Sequence, residues 1–138
     1  MSTVKTNTLT GTTTAGSISV TGEGNSTTTN LQQGLAKVWV HFTTVTSTAV
    51  RDSFNVTGLT DEGTGRTTVT IANDMTNNDY AAVMFTNANN LQTGGGAFGN
   101  QYLGGLSDRT SAQLLHESYG SAFVDAALCD VTIHGDLA

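Results

Sequence analysis

The feature that most constrains this chain is a two-residue hydrophobic alternation that returns several times along it. In "LAKVWVHFTTV" Val38, Val40 and Phe42 fall on one side of an extended backbone, and Lys37, Trp39 and His41 fall on the other. Side chains alternate across a strand, so this pattern predicts a half-buried β-strand with a large aromatic on its polar face. "SFNVTGL" repeats the pattern with Phe54 and Val56 against Ser53 and Asn55. "RTTVTIA" repeats it with Val69 and Ile71 against Thr68 and Thr70. "DYAAVMFTN" is more continuously apolar, which predicts a central strand. "CDVTIHGD" sets Cys129, Val131 and Ile133 against Asp130, Thr132 and His134. Between Ser111 and Leu128 the period is mixed: Ala112, Leu114 and Leu115 suit one helical turn, whereas Ser, Gly and Tyr interrupt it.

The turns have to be built without proline, because the 138 residues include none, and 16 glycines with many asparagines supply the positive-φ positions instead. Together these signals predict an all-β fold, a small antiparallel β-sandwich (jelly-roll-like) over residues 31–138. A Gly/Asn-rich loop is expected at about 87–105. Residues 1–30 are Thr-, Ser-, Gly- and Asn-rich, with Val4, Leu9, Ile18 and Val20 as their larger apolar side chains. Such a segment buries little surface alone, so it is expected to be an extended arm that orders on neighbouring chains.

Charge restricts the partners. Net charge is −6 and Lys plus Arg number only five, too few for the basic patch that nucleic acid requires. No apolar run reaches the roughly 20 residues of a membrane-spanning helix, and the N-terminus has no signal-like hydrophobic region. A single cysteine, Cys129, excludes an intrachain disulfide and a Cys-based zinc site. The expected setting is a cytoplasm in which the chain is made before it assembles.

Five ionisable residues, Arg51, Asp52, Asp61, Glu62 and Arg66, crowd into the stretch Arg51–Ile71. An acid–base pair would need one carboxyl buried with a raised pKa, whereas "TDEGTGRT" has the glycine spacing of a hairpin turn standing in water. The turn is the stronger reading, with Arg51 and Asp52 at a strand edge or in an interchain ion pair. "GGGAFG" at Gly94–Gly99 matches G-x-G-x-x-G in letters, but no helix pattern follows it, so it is a loop. "HESYG" lacks the first glycine of a nucleophile elbow. His41, His116 and His134 lack metal-ligand spacing, and Asn73, Asp74 and Asp79 in "NDMTNND" suit turns before they suit calcium. No catalytic, cofactor or metal residue is therefore assigned. Trp39, Phe98 and Tyr102 are the candidate binding residues, for a glycan or for a subunit interface.

The motifs "MSTVKTNTLT", "LAKVWVHF", "AVRDSFNVTGLTDEGTGRTTVTIANDM", "DYAAVMF" and "VTIHGD", in that order, resemble small fibre-like virion proteins of marine tailed bacteriophages. The resemblance covers residues 35–86 best and the two ends more loosely. It implies a non-enzymatic structural protein of the virion, a tail-fibre-like appendage anchored through its N-terminal arm, trimeric, and in contact with other capsid or tail proteins. Capsid decoration and recognition of a host surface glycan stay open beside it. No catalytic residue is carried over.

Overall fold

In this computed structural model, residues 3–14, 17–21, 24, 27–87, 101–119 and 123–138 are described, and the account below concerns them. The chain divides into two compact units, Met1–Leu35 and Ala36–Ala138.

In the first unit, β1 (Ser19–Thr21) pairs antiparallel with β2 (Thr28–Asn30), joining Ser19 to Asn30 and Thr21 to Thr28. A single helical turn, α1 (Leu31–Gly34), follows. Asn30 caps it: the side-chain Oδ1 accepts from the N–H groups of Gln32 and Gln33 at 2.9 and 3.2 Å, satisfying donors that a helix start leaves free. The residues expected to form one extended arm thus include a small hairpin, and residues 3–14 carry no strand. Val4, Leu9 and Val20 are exposed, and Ile18 is half-buried.

The second unit is built from eight strands: β3 (Val38–Thr43), β4 (Ala49–Phe54), β5 (Val56–Asp61), β6 (Arg66–Ile71), β7 (Ala81–Asn87), β8 (Gln101–Arg109), β9 (Gln113–Tyr119) and β10 (Leu128–His134). Their hydrogen-bonded order is β4-β3-β10-β7-β8-β9-β6-β5, with every neighbouring pair antiparallel. The link in the middle is slight, because β7 and β8 pair only through Thr86–Tyr102 and Asn87–Gln101. The sheet folds over there, and β4-β3-β10-β7 faces β8-β9-β6-β5 in a sandwich-like arrangement. The Phe42 and His116 rings meet across the interior in a T-shaped contact, their centres 5.2 Å apart and their planes at 79°, and Thr86 Oγ1 lies 2.9 Å from His116 Nε2.

The predicted alternation decides which side chains fill the space between the halves. Val38, Val40 and Phe42 of β3, Val69 and Ile71 of β6, Leu114 of β9, and Cys129, Val131 and Ile133 of β10 are all buried. Met75, Tyr80 and Ala126 close the ends. At about 25 cal/mol per Å² of apolar surface removed from water, this core is the main source of stability.

Three segments depart from the sequence reading. "SFNVTGL" is two strands rather than one, because Asn55 adopts φ 57° and turns the chain from β4 into β5. Phe54 is therefore exposed while Val56 is half-buried. The mixed segment after Ser111 is strand β9 with no helical turn, and Leu114, His116 and Ser118 point inward together. Two polar side chains on the inner face hid its period. Finally, residues 101–105, expected within the Gly/Asn-rich loop, begin β8; the rest of that loop, from 88 to 100, lies outside the described residues.

Candidate functional site

The charged residues between Arg51 and Ile71 are each engaged in building the fold. Asp61 Oδ1 accepts the Gly63 N–H at 2.8 Å, and Gly63 and Gly65 take φ of 109° and 68° in the turn between β5 and β6. Glu62 accepts from the Thr68 hydroxyl at 3.0 Å. Arg66 reaches across to β9, donating from Nε to Glu117 Oε1 at 3.0 Å, and its guanidinium lies 5.7 Å from the Phe123 ring centre. On β4, an edge strand, Arg51 donates to the Ala127 carbonyl at 3.1 Å and Asp52 accepts the Ser53 N–H at 2.9 Å. The same stretch holds the corner at Asn55. Its Nδ2 donates to the carbonyls of Lys37 and Asn73, both at 3.1 Å, and its Oδ1 accepts from the Asn73 backbone N–H and Nδ2, both at 2.8 Å. An asparagine tolerates the left-handed region better than most residues, so this one side chain both permits the turn and ties its two flanks together.

The interior holds a polar pocket of side chains beside the aliphatic core. His116 is fully buried, and burial lowers its pKa from 6.5 to about 4, so the ring is neutral at pH 7. Thr67 Oγ1, His116 Nδ1 and Ser118 Oγ have no hydrogen-bond partner among the described residues. The Cys129 thiol is also buried, and desolvation pushes its pKa up to about 12, with the Asp130 charge adding to the effect. Such a thiol is an inert core group rather than a nucleophile.

The histidines are not brought together. His116 is in the interior, while His41 and His134 lie on the outer face of β3 and β10. Among the described residues, no group of three or more His, Cys, Asp and Glu side chains is placed to hold a metal. A groove of about 270 Å³ beside the β5–β6 turn is lined by Glu62, Arg66, Arg109 and Gln113 among others. Its charged groups already have protein partners: Arg109 donates to the Tyr80 carbonyl at 2.9 Å, and Arg66 and Glu62 are paired as above.

The outer face of the β4-β3-β10-β7 half carries the most distinctive surface chemistry. Register places Phe54, Trp39, Thr132 and Val83 side by side on four successive strands. The next row on the same face is Asp52, His41, Asp130 and Phe85. At about 4.8 Å per strand each row spans roughly 14 Å. Phe54, Val83 and Phe85 are 53%, 68% and 43% exposed, a concentration of large apolar groups that open solvent alone does not favour. His41 Nδ1 lies 2.7 Å from Asp130 Oδ1, and both side chains remain partly open to solvent. The corresponding rows of the other half carry smaller and more polar groups: Thr60, Thr68 and Leu115 form one row, and Gly58, Thr70 and Gln113 the next, with Leu115 as their one large apolar side chain.

Of the three binding residues expected from sequence, Trp39 lies at the centre of this face. Tyr102 sits at the start of β8, where its Cα pairs with Thr86, and Phe98 lies outside the described residues. Phe54, Val83, Phe85 and Asp130 join the face without having been expected there, whereas His41 shares it with Trp39 as the alternation predicted. Val83 and Phe85 did leave a signal, since a continuously apolar strand has two apolar faces and only one of them meets the core. The pairing of His41 with Asp130 depends on the register between β3 and β10, 89 residues apart, and had no local signal.

Comparison with protein-family models, with curated proteins and with solved structures returned no match.

Proposed function

We propose that this chain is a non-enzymatic structural protein of a bacteriophage virion, a fibre-like or tail-appendage protein that displays its β domain on the particle surface. Residues Met1–Leu35 anchor it to capsid or tail proteins, and the displayed domains form a trimer. The resemblance of residues 35–86 to fibre-like virion proteins motivates the reading. The observation that carries it is the use made of the resembling stretch: its charges and its asparagine form a turn and a corner of the scaffold. Exposed Val4, Leu9 and Val20 on a Thr-rich segment supply apolar contacts for anchoring. A scaffold of this kind leaves recognition to its outer surface.

Removing residues 1–35 tests the anchor. Residues 36–138 hold the whole described core, so the truncated chain is expected to remain folded by circular dichroism and to be missing from purified particles. Incorporation at the level of the full chain would refute the anchoring role.

A further inference from the structure

The aromatic outer face raises the question of what it meets, and its polar row narrows the answer. Asp52, His41 and Asp130 form the row directly beside Phe54 and Trp39, with Phe85 at that row's end. A purely apolar partner would bury two carboxylates without replacing their water. A second copy laid face to face would set this acidic row near its own counterpart, and the chain already carries a net charge of −6. A compact cation would engage the carboxylates but cover little of the exposed Phe54, Val83 and Phe85 surface.

One chemistry fits both rows. A neutral saccharide has apolar C–H faces that pack on Trp39, Phe54 and Phe85, and hydroxyls that both donate and accept. The Asp130 carboxylate receives one hydrogen bond from His41 Nδ1 and keeps free acceptor positions, and with the proton on Nδ1 the Nε2 of the neutral His41 ring is an acceptor. Thr132 adds a hydroxyl between Trp39 and Val83. Anionic sugars are disfavoured by the same carboxylates. We infer that the face formed by Phe54, Trp39, His41, Asp130 and Phe85 is a binding site for a neutral polysaccharide. This goes beyond the structural role proposed above and does not depend on where, or whether, the chain sits on a particle.

Trp39 is the only tryptophan in the chain, so its emission reports on this face alone. The full-length protein is titrated with dextran, mannan, galactan and chitin oligosaccharides, with alginate and poly-lysine as anionic and cationic contrasts. The expected result is a saturable change with at least one neutral glycan and none with alginate or poly-lysine. Phe85→Ser and Asp130→Asn each weaken that response at least tenfold, and Thr68→Ala on the opposite face leaves it unchanged. Circular dichroism verifies the fold of each variant, and Phe85→Ser, at an exposed position, carries the test should Asp130→Asn unfold. The inference is overturned if no neutral glycan alters the emission, if the Phe85 variant binds like wild type, or if poly-lysine binds instead. It is also overturned if light scattering shows that Phe85→Ser converts an oligomer to a monomer, because the face would then be a subunit contact.

Discussion

Acidification should destabilise this domain through one buried histidine, and the size of the effect follows from its surroundings. His116 is enclosed by the core, with Nε2 against Thr86 Oγ1 and the Phe42 ring in T-shaped contact with it. Desolvation holds its folded pKa at about 4, against 6.5 for the free side chain, while the neighbouring Glu117 charge opposes part of that depression. As pH falls below 6.5 the unfolded chain takes up a proton that the folded chain refuses. Stability is therefore fully present above 6.5 and is lost as pH falls towards about 4. A tenfold difference in proton affinity between the folded and unfolded chain corresponds to about 1.4 kcal/mol, so the total is about 3 kcal/mol, with about 2.5 kcal/mol of it lost between pH 8 and pH 4.5. The assay is urea unfolding of wild type and His116→Gln at both pH values. The substitution is destabilising at pH 8, since it disturbs packing and the contact with Thr86. The gap between the two proteins should shrink by about 2.5 kcal/mol at pH 4.5, because only the wild type carries the buried imidazole. A gap unchanged to within about 0.5 kcal/mol would show that His116 is not held neutral by burial.

Asn55→Ala should cost about 3 kcal/mol in urea unfolding, from four lost hydrogen bonds and from alanine's poorer tolerance of φ 57°. Asn55→Gly, which relieves the backbone but not the lost bonds, should cost about 1 kcal/mol less. Gly65→Ala should be worse than Gly63→Ala. A Cβ at 65 would stand 2.6 Å from the Val124 nitrogen and 2.8 Å from the Ser118 carbonyl oxygen, whereas at 63 it meets open space. Thermal melts should show a loss above about 2 kcal/mol for the first and about 1 kcal/mol for the second. Cys129 should resist thiol reagents at pH 8 in the native protein and react fully once urea unfolds it. Labelling of the folded chain would contradict its burial.

The sequence revealed strands wherever one face is aliphatic and the other polar, as in β3, β6 and β10, because burial and side-chain alternation then share a period. It was less informative where polar residues turn inward. His116 and Ser118 gave β9 the look of an irregular segment, and only the opposing Thr86 and Phe42 explain their place in the core. The corner at Asn55 was hidden for the opposite reason: alternation runs through it unbroken, while the positive φ that splits the strand is a property of one backbone angle. The candidate face was legible in part. Trp39 stood out as a large aromatic on a polar face, but its neighbours assemble from β4, β7 and β10 through a register that no local pattern encodes.

The central claim is that this chain is a displayed component of a virion. A density map of the phage particle at modest resolution, with the chain located by its fold, tests it most directly. Density for the β domain is expected on the outer surface, repeated about a threefold axis, with the first 35 residues continuing into neighbouring capsid or tail protein. Particles that lack the chain, or that hold it only inside the capsid, would contradict it.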